Sequence, residues 1–369
     1  MKGILSLLVA GLASAGQDAV KPGSRCEIEV EGLGQPVVFR VPANYTADRE
    51  WPVLVYYHGT HGRPTLALLD DYTRRRDFVT IGMGYVRPGR FQYSEENLRR
   101  EIDACHEAID RVARRCRIDR SRIYVGGFSK GGWVSAMFID HDPRFAGGFV
   151  MGGGVYDRQL YEAEPFRRRT PVYIGVGRRD GNTIMSLNAK LHFRGLGAEV
   201  TLDVWPELGH EPAVGRHRSP ALAQWFELLL LEDRPEERRR RMEAWFEAEL
   251  AERGVLEDPR ERYMALQALA EMPATVFLGK PARSRLDARL DELRAEEPVK
   301  GEWAIQQRYQ RIVRHELRDR HLETLETCAR GYLALSEEHP GSIYGRLAAI
   351  DYERARKVIE LTRERIPGE

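Results

Sequence analysis

The spacing of apolar positions changes character along this chain, and each change marks an element or a boundary. Across residues 26–41 apolar and polar residues alternate on either side of Gly32-Leu33-Gly34, the period of an antiparallel hairpin, and Pro42 closes it. Residues 51–57 form a continuous apolar run, as expected of a strand covered on both faces, which stops abruptly at His58-Gly59-Thr60. Residues 78–86 read as a further strand. Residues 95–115 carry Leu98, Ile102, Cys105, Ile109 and Val112 on one helical face. Residues 122–137 pass from a β-branched and aromatic strand straight into an apolar helix. Beyond them, 148–151, 171–177 and 198–205 read as strands, with helices near 184–194 and 221–231. Strands and helices in this alternation predict a mostly parallel α/β sheet flanked by helices.

From residue 232 the texture changes. Strand signals stop, Arg and Glu become frequent, and Met242, Trp245, Phe246 and Leu250 follow helical spacing. A C-terminal all-helical region is expected, broken near 258–259, 279–281, Pro298 and 339–342. Within it, residues 328–355 faintly resemble one tetratricopeptide-type helical pair. A length of 369 residues suits two domains, placed by these shifts at 24–232 and 233–369.

The strand-to-helix junction contains G-x-S-x-G as Gly127, Ser129 and Gly131. A turn this sharp strains the central residue and crowds its flanks, and glycine on either side relieves that crowding. Ser129 is thus expected at the C-terminal edge of the sheet, with the N–H groups of a helix start beside it, where a developing oxyanion is stabilised. A serine hydroxyl needs a neutral imidazole to take its proton, and the imidazole needs a carboxylate to fix its tautomer. Asp180, in R-R-D-G-N after one strand, and His210, in L-G-H-E-P after the next, both fall in loops at that same edge. Rival acids are less well placed. Asp203 is expected inside a strand, Asp140 and Asp142 follow the nucleophile helix, and Asp157 needs a long loop to fold back. His217 is expected on a helix. His58 and His61 lack an accompanying carboxylate cluster, so no metal and no cofactor is expected.

The order Ser129, Asp180, His210, with H-G-T upstream and G-F-S-K-G at the turn, resembles the α/β-hydrolase superfamily. Within it the chain looks most like exported esterases grouped with polyhydroxybutyrate depolymerases and feruloyl esterases. The resemblance covers about residues 28–231. It implies Ser129 as nucleophile, His210 as general base and then acid, Asp180 as its orienting partner, and an oxyanion hole from the backbone N–H groups of Thr60 and Lys130. Lys130 stands where many relatives carry a small residue. The expected activity is hydrolysis of carboxylic esters, carbohydrate-linked, feruloyl or polyester, through an acyl-serine. A peptidase of the same fold and an idle scaffold that binds a partner are the alternatives.

Charge and composition narrow the partners. Lys and Arg number 57 against 56 Asp and Glu, for a net charge of +1, so no electrostatic footprint points to nucleic acid. The opening residues pair Lys2 with a short apolar run and then Ala13-Ser14-Ala15, which fits a secretory signal over residues 1–15 and a secreted or periplasmic enzyme. No stretch is long enough for a membrane span. Cys105 and Cys116 share an expected helix about 16 Å apart along its axis, too far for a disulfide, so any bridge must join different elements. The helical region could cap the crevice, dock another protein or self-associate. Loops 63–76 and 156–169 are expected to wall the substrate pocket.

Overall fold

The computed structural model describes residues 20–87, 94–155, 169–272 and 278–364. The expected signal segment therefore lies outside the described residues, as do residues 156–168 of the second pocket wall.

Eight strands form one sheet in the order β1-β2-β4-β3-β5-β6-β7-β8. The first two, β1 (Arg25–Ile28) and β2 (Val37–Arg40), are the antiparallel hairpin, and β2 runs antiparallel to β4 (Val79–Met83). From there β3 (Trp51–Tyr57), β5 (Ile118–Phe128), β6 (Gly147–Met151), β7 (Pro171–Gly177) and β8 (Glu199–Trp205) are parallel to their neighbours. All carboxyl ends of the parallel strands consequently open on one edge.

Burial explains the continuous apolar runs. Every residue of β3 is buried, and its side chains alternate between two cores. Val53, Val55 and Tyr57 face one core, which α2 (Glu95–Ala113), α3 (Lys130–His141) and α4 (Thr183–Gly195) cover. Leu54 and Tyr56 face the other, under α1 (Ala67–Thr73) and α5 (Pro220–Leu229). The helical spacing read in α2 is realised: Leu98, Cys105, Ile109 and Val112 are fully buried and Ser94 caps the helix by accepting the Asn97 N–H. Two details differ from the sequence reading. Part of the loop expected across 63–76 is the short helix α1, whose seven residues give the apolar period too little length to show. His217 sits in the turn before α5 rather than on a helix, because Ser219 and Pro220 start that helix two residues later.

Beyond α5 the described chain is helical: α6 (Pro235–Gly254), α7 (Pro259–Ala270), α8 (Lys280–Arg294), α9 (Glu297–Arg318), α10 (Leu322–Glu338) and α11 (Ile343–Arg363). The breaks coincide with the Pro and Gly positions singled out in the sequence, and a further one at 319–321 separates α9 from α10. Leu266, Leu286 and Phe246 centre one core among α6, α7 and α8, while Tyr332, Ala348 and Ala355 centre another among α9, α10 and α11. Among the described residues no helix is long and apolar enough to cross a membrane.

Candidate active site

Three glycines make the turn around Ser129 possible. A Cβ on Gly127 would stand 2.5 Å from the Tyr57 carbonyl oxygen, one on Gly131 only 2.0 Å from it, and one on Gly132 2.7 Å from that of Met151. The start of α3 is therefore pressed against the ends of β3 and β6 more closely than any side chain permits. Ser129 itself takes φ 55°, ψ −118°, a conformation a residue with a Cβ adopts only under constraint. Its N–H is anchored on the Met151 carbonyl at 2.8 Å, and its carbonyl receives the Trp133 N–H at 3.1 Å. The hydroxyl is thereby held off the sheet edge, immediately before the first helical residue, Lys130.

Asp180 and His210 meet Ser129 there. His210 Nε2 lies 2.8 Å from Ser129 Oγ, and His210 Nδ1 lies 2.8 Å from Asp180 Oδ2. A carboxylate only accepts, so Nδ1 carries the proton and Nε2 is left to accept from the serine. The hydrogen bond that His210 donates to Asp180 holds the imidazole pKa above the ordinary histidine value, against the burial that would lower it. Asp180 is almost wholly buried and its second oxygen accepts the Asn182 N–H at 2.8 Å. Phe128 lies against the imidazole, ring centroids 5.1 Å apart. Gly152, at φ +54°, leaves room for this group: a Cβ there would reach 3.2 Å from Asp180 Oδ2.

The other acids are occupied elsewhere. Asp203 Oδ2 accepts from Tyr173, Trp205 and Ser219. Asp142 pairs with His106 and Arg144, and Asp140 with His192. Asp157 lies outside the described residues.

The turn that contains Thr60 passes beside the nucleophile, since a Cβ on Gly59 would stand 3.6 Å from that of Ser129. His58 is absorbed into this turn: its Nδ1 is 2.6 Å from the Gly59 carbonyl oxygen and its ring meets Tyr85 edge-on at 4.9 Å. Sequence reasoning did not assign the Lys130 side chain. It is buried, with Nζ 3.6 Å from the Tyr85 ring centroid and 3.3 Å from the Arg87 carbonyl oxygen, while Tyr85 donates to the His58 carbonyl. Beneath it lies Glu101, whose carboxylate accepts the Val86 N–H at 2.9 Å and is pushed by burial up to about 7. The unusual lysine after the nucleophile was the only signal for this packing: one residue supplies the first N–H of α3 and, through Tyr85, braces the His58–Thr60 turn.

No protein-family model matches the chain. Over 153 residues, 37% of its length, it is 26% identical to a probable dipeptidyl-aminopeptidase B of Uncinocarpus reesii strain UAMH 1704. A protein of the same description from Ajellomyces capsulatus strain H88 is 28% identical over 131 residues, 31% of this chain. These matches span 16% and 14% of the two relatives, so most of each has no counterpart here. Among solved structures, a Bacillus cereus carboxylesterase aligns with 52% of this chain and 93% of its own at 20% identity and TM-score 0.42. The strand order, with Ser129 after β5, Asp180 after β7 and His210 after β8, is that of the α/β-hydrolase fold.

Proposed function

We propose that the chain is a serine hydrolase that cleaves carboxylic esters through an acyl-serine intermediate. The observation that carries this reading is the unbroken hydrogen-bond chain from Ser129 Oγ through His210 to Asp180. As Ser129 Oγ bonds to the acyl carbon, its proton passes to His210 Nε2, and Asp180 stabilises the imidazolium. The carbonyl oxygen becomes an oxyanion, which the backbone N–H groups of Lys130 and Thr60 receive. The C–O bond to the leaving alcohol then breaks, and the alkoxide takes the proton from Nε2. Water repeats the sequence on the acyl-serine, giving its proton to the same nitrogen and restoring Ser129 as the acid departs.

The substrates we favour are carbohydrate-linked, feruloyl or polyester esters, on the strength of the G-F-S-K-G turn and the upstream H-G-T. A peptidase is the second reading, favoured by the 26% identity with a probable dipeptidyl-aminopeptidase. The same residues serve both, and the leaving amine then needs the His210 proton more than an alkoxide does.

Ser129→Ala is expected to cut hydrolysis of p-nitrophenyl acetate by about a millionfold in kcat while leaving the melting temperature near that of the parent. Parent-like turnover in that variant would sink the proposal. Acetylated and feruloylated sugars, short polyesters and aminoacyl p-nitroanilides, assayed side by side, separate ester from amide preference. Covalent labelling of Ser129 by a fluorophosphonate distinguishes an active site from an idle one.

A further inference from the structure

Arg178 stands two residues before Asp180 in the turn between β7 and α4, yet its side chain leaves the crevice and enters the helical region. Its Nη2 donates to the hydroxyl of Tyr309 on α9 and, at 2.6 Å, to Asp351 Oδ2 on α11. Tyr309 donates to that same oxygen at 2.5 Å. Asp351 Oδ1 accepts from Arg354 Nε at 3.2 Å, and the Arg354 guanidinium grips both oxygens of Glu316 at 2.7 and 2.6 Å. Tyr332 donates to Glu316 Oε2 at 3.0 Å. The side chains of Arg354 and Glu316 are fully enclosed, Asp351 is 3% exposed and Arg178 15%.

Inside this interface Arg178 and Arg354 face Asp351 and Glu316, and the Arg320 guanidinium interacts with Glu316 and Arg354 as well. Such a set costs desolvation that hydrocarbon would avoid, so stability alone gives little reason for it. Its particular property is direction: a guanidinium donates its N–H groups only at fixed angles, through two nitrogens from Arg354 to Glu316 and through Nη2 from Arg178, which apolar packing does not require. The turn it holds is the one that matters for the proposed chemistry. On the sheet side, the Arg178 N–H donates to Trp205 O at 2.8 Å and the Arg179 N–H to Leu208 O at 3.0 Å, tying the turn to the segment leading to His210. On the other side a Cβ on Gly181 would touch Val358 of α11 at 3.5 Å. Further along, α4 reaches the helices again, Asn188 to the Leu317 carbonyl at 3.5 Å and Lys190 to Glu271 at 3.2 Å.

We propose that the C-terminal helices are a positioning element for the reaction: through Arg178, α9 and α11 hold the Asp180 turn in register with His210. This rests on the serine-hydrolase reading above. The helices then belong to the framework of the site, and Arg178 and Asp351 are positioning residues that act through Asp180.

The test uses the full chain with Asp351→Asn, with Tyr309→Phe as a milder change that removes one hydroxyl, and with Leu290→Ala in the core of α8 as a destabilised control. For each, p-nitrophenyl acetate hydrolysis is followed across pH together with the melting temperature. Asp351→Asn is expected to lower kcat by about ten- to a hundredfold with KM within about twofold, the size of effect a slight misplacement produces. The acid limb of its kcat/KM profile should also move to lower pH, because a slackened Asp180 no longer raises the imidazole. Leu290→Ala should lose melting temperature without moving that limb. A folded Asp351→Asn or Tyr309→Phe with parental kcat and an unmoved limb would overturn the inference. Fluorophosphonate labelling of the parent separates the two ideas: an unlabelled parent removes the hydrolase reading itself, whereas a labelled parent with unaffected variants removes only the role of the helices.

Discussion

At the scale of single residues, the site is a matter of proton ownership. Because Asp180 favours the charged imidazole, the neutral His210 that the proposed mechanism requires appears only above the ordinary histidine value. The kcat/KM profile of the parent should therefore fall on its acid side with a midpoint above about 6.5. Asp180→Asn removes the cause, so the midpoint should drop below that of the parent while kcat falls by about ten thousandfold. A titration of rate against pH in both proteins checks the direction, and an unchanged midpoint would disconnect Asp180 from the imidazole. Ser129, Asp180 and His210 were legible in the sequence because each follows an apolar run and so had to emerge at the same edge. The Lys130 and Glu101 side chains were not. Their meaning depends on Tyr85 lying between the ammonium and the His58 carbonyl, and no spacing rule along the chain encodes a side chain that turns inward.

At the scale of elements, close approach of backbones decides what the sequence must hold. Gly131→Ala would drive a methyl group into the Tyr57 carbonyl at 2.0 Å, and neither backbone has room to move because β3 is buried on both faces. The expected result is a loss of at least about 3 kcal/mol or failure to fold, read by urea unfolding, since strain and overpacking act together. Parental stability in that variant would show that α3 does not pack as described. Element identities were readable wherever the apolar period ran for several turns or for a whole strand, as in α2 and β3. They were less so in α1, whose seven residues fall short of two helical periods beyond the first turn, and at His217, where a turn precedes the cap residue.

At the scale of the molecule, the sheet unit and the helices are joined by charge, through Arg178 to Asp351 and Lys190 to Glu271. Arg354→Met leaves the enclosed Glu316 without its bidentate guanidinium and should cost about 3–5 kcal/mol, whereas adding Glu316→Leu should restore most of that loss. Chemical denaturation of the single and double variants measures both, and equal losses in the two would argue against the pairing as described. The change of texture near residue 232 was visible in composition, but the reason for the helices was not, because Arg178 finds Tyr309 131 positions later and Asp351 173 positions later. That interval has a consequence in time. A chain emerging from the ribosome folds its sheet unit first, and Arg178 must then wait in water until α11 has been made, so a nascent or truncated chain would display Ser129 and His210 before Asp180 is steadied. Under the role proposed for the helices, the Asp180 turn gains its last support only once α11 has been synthesised.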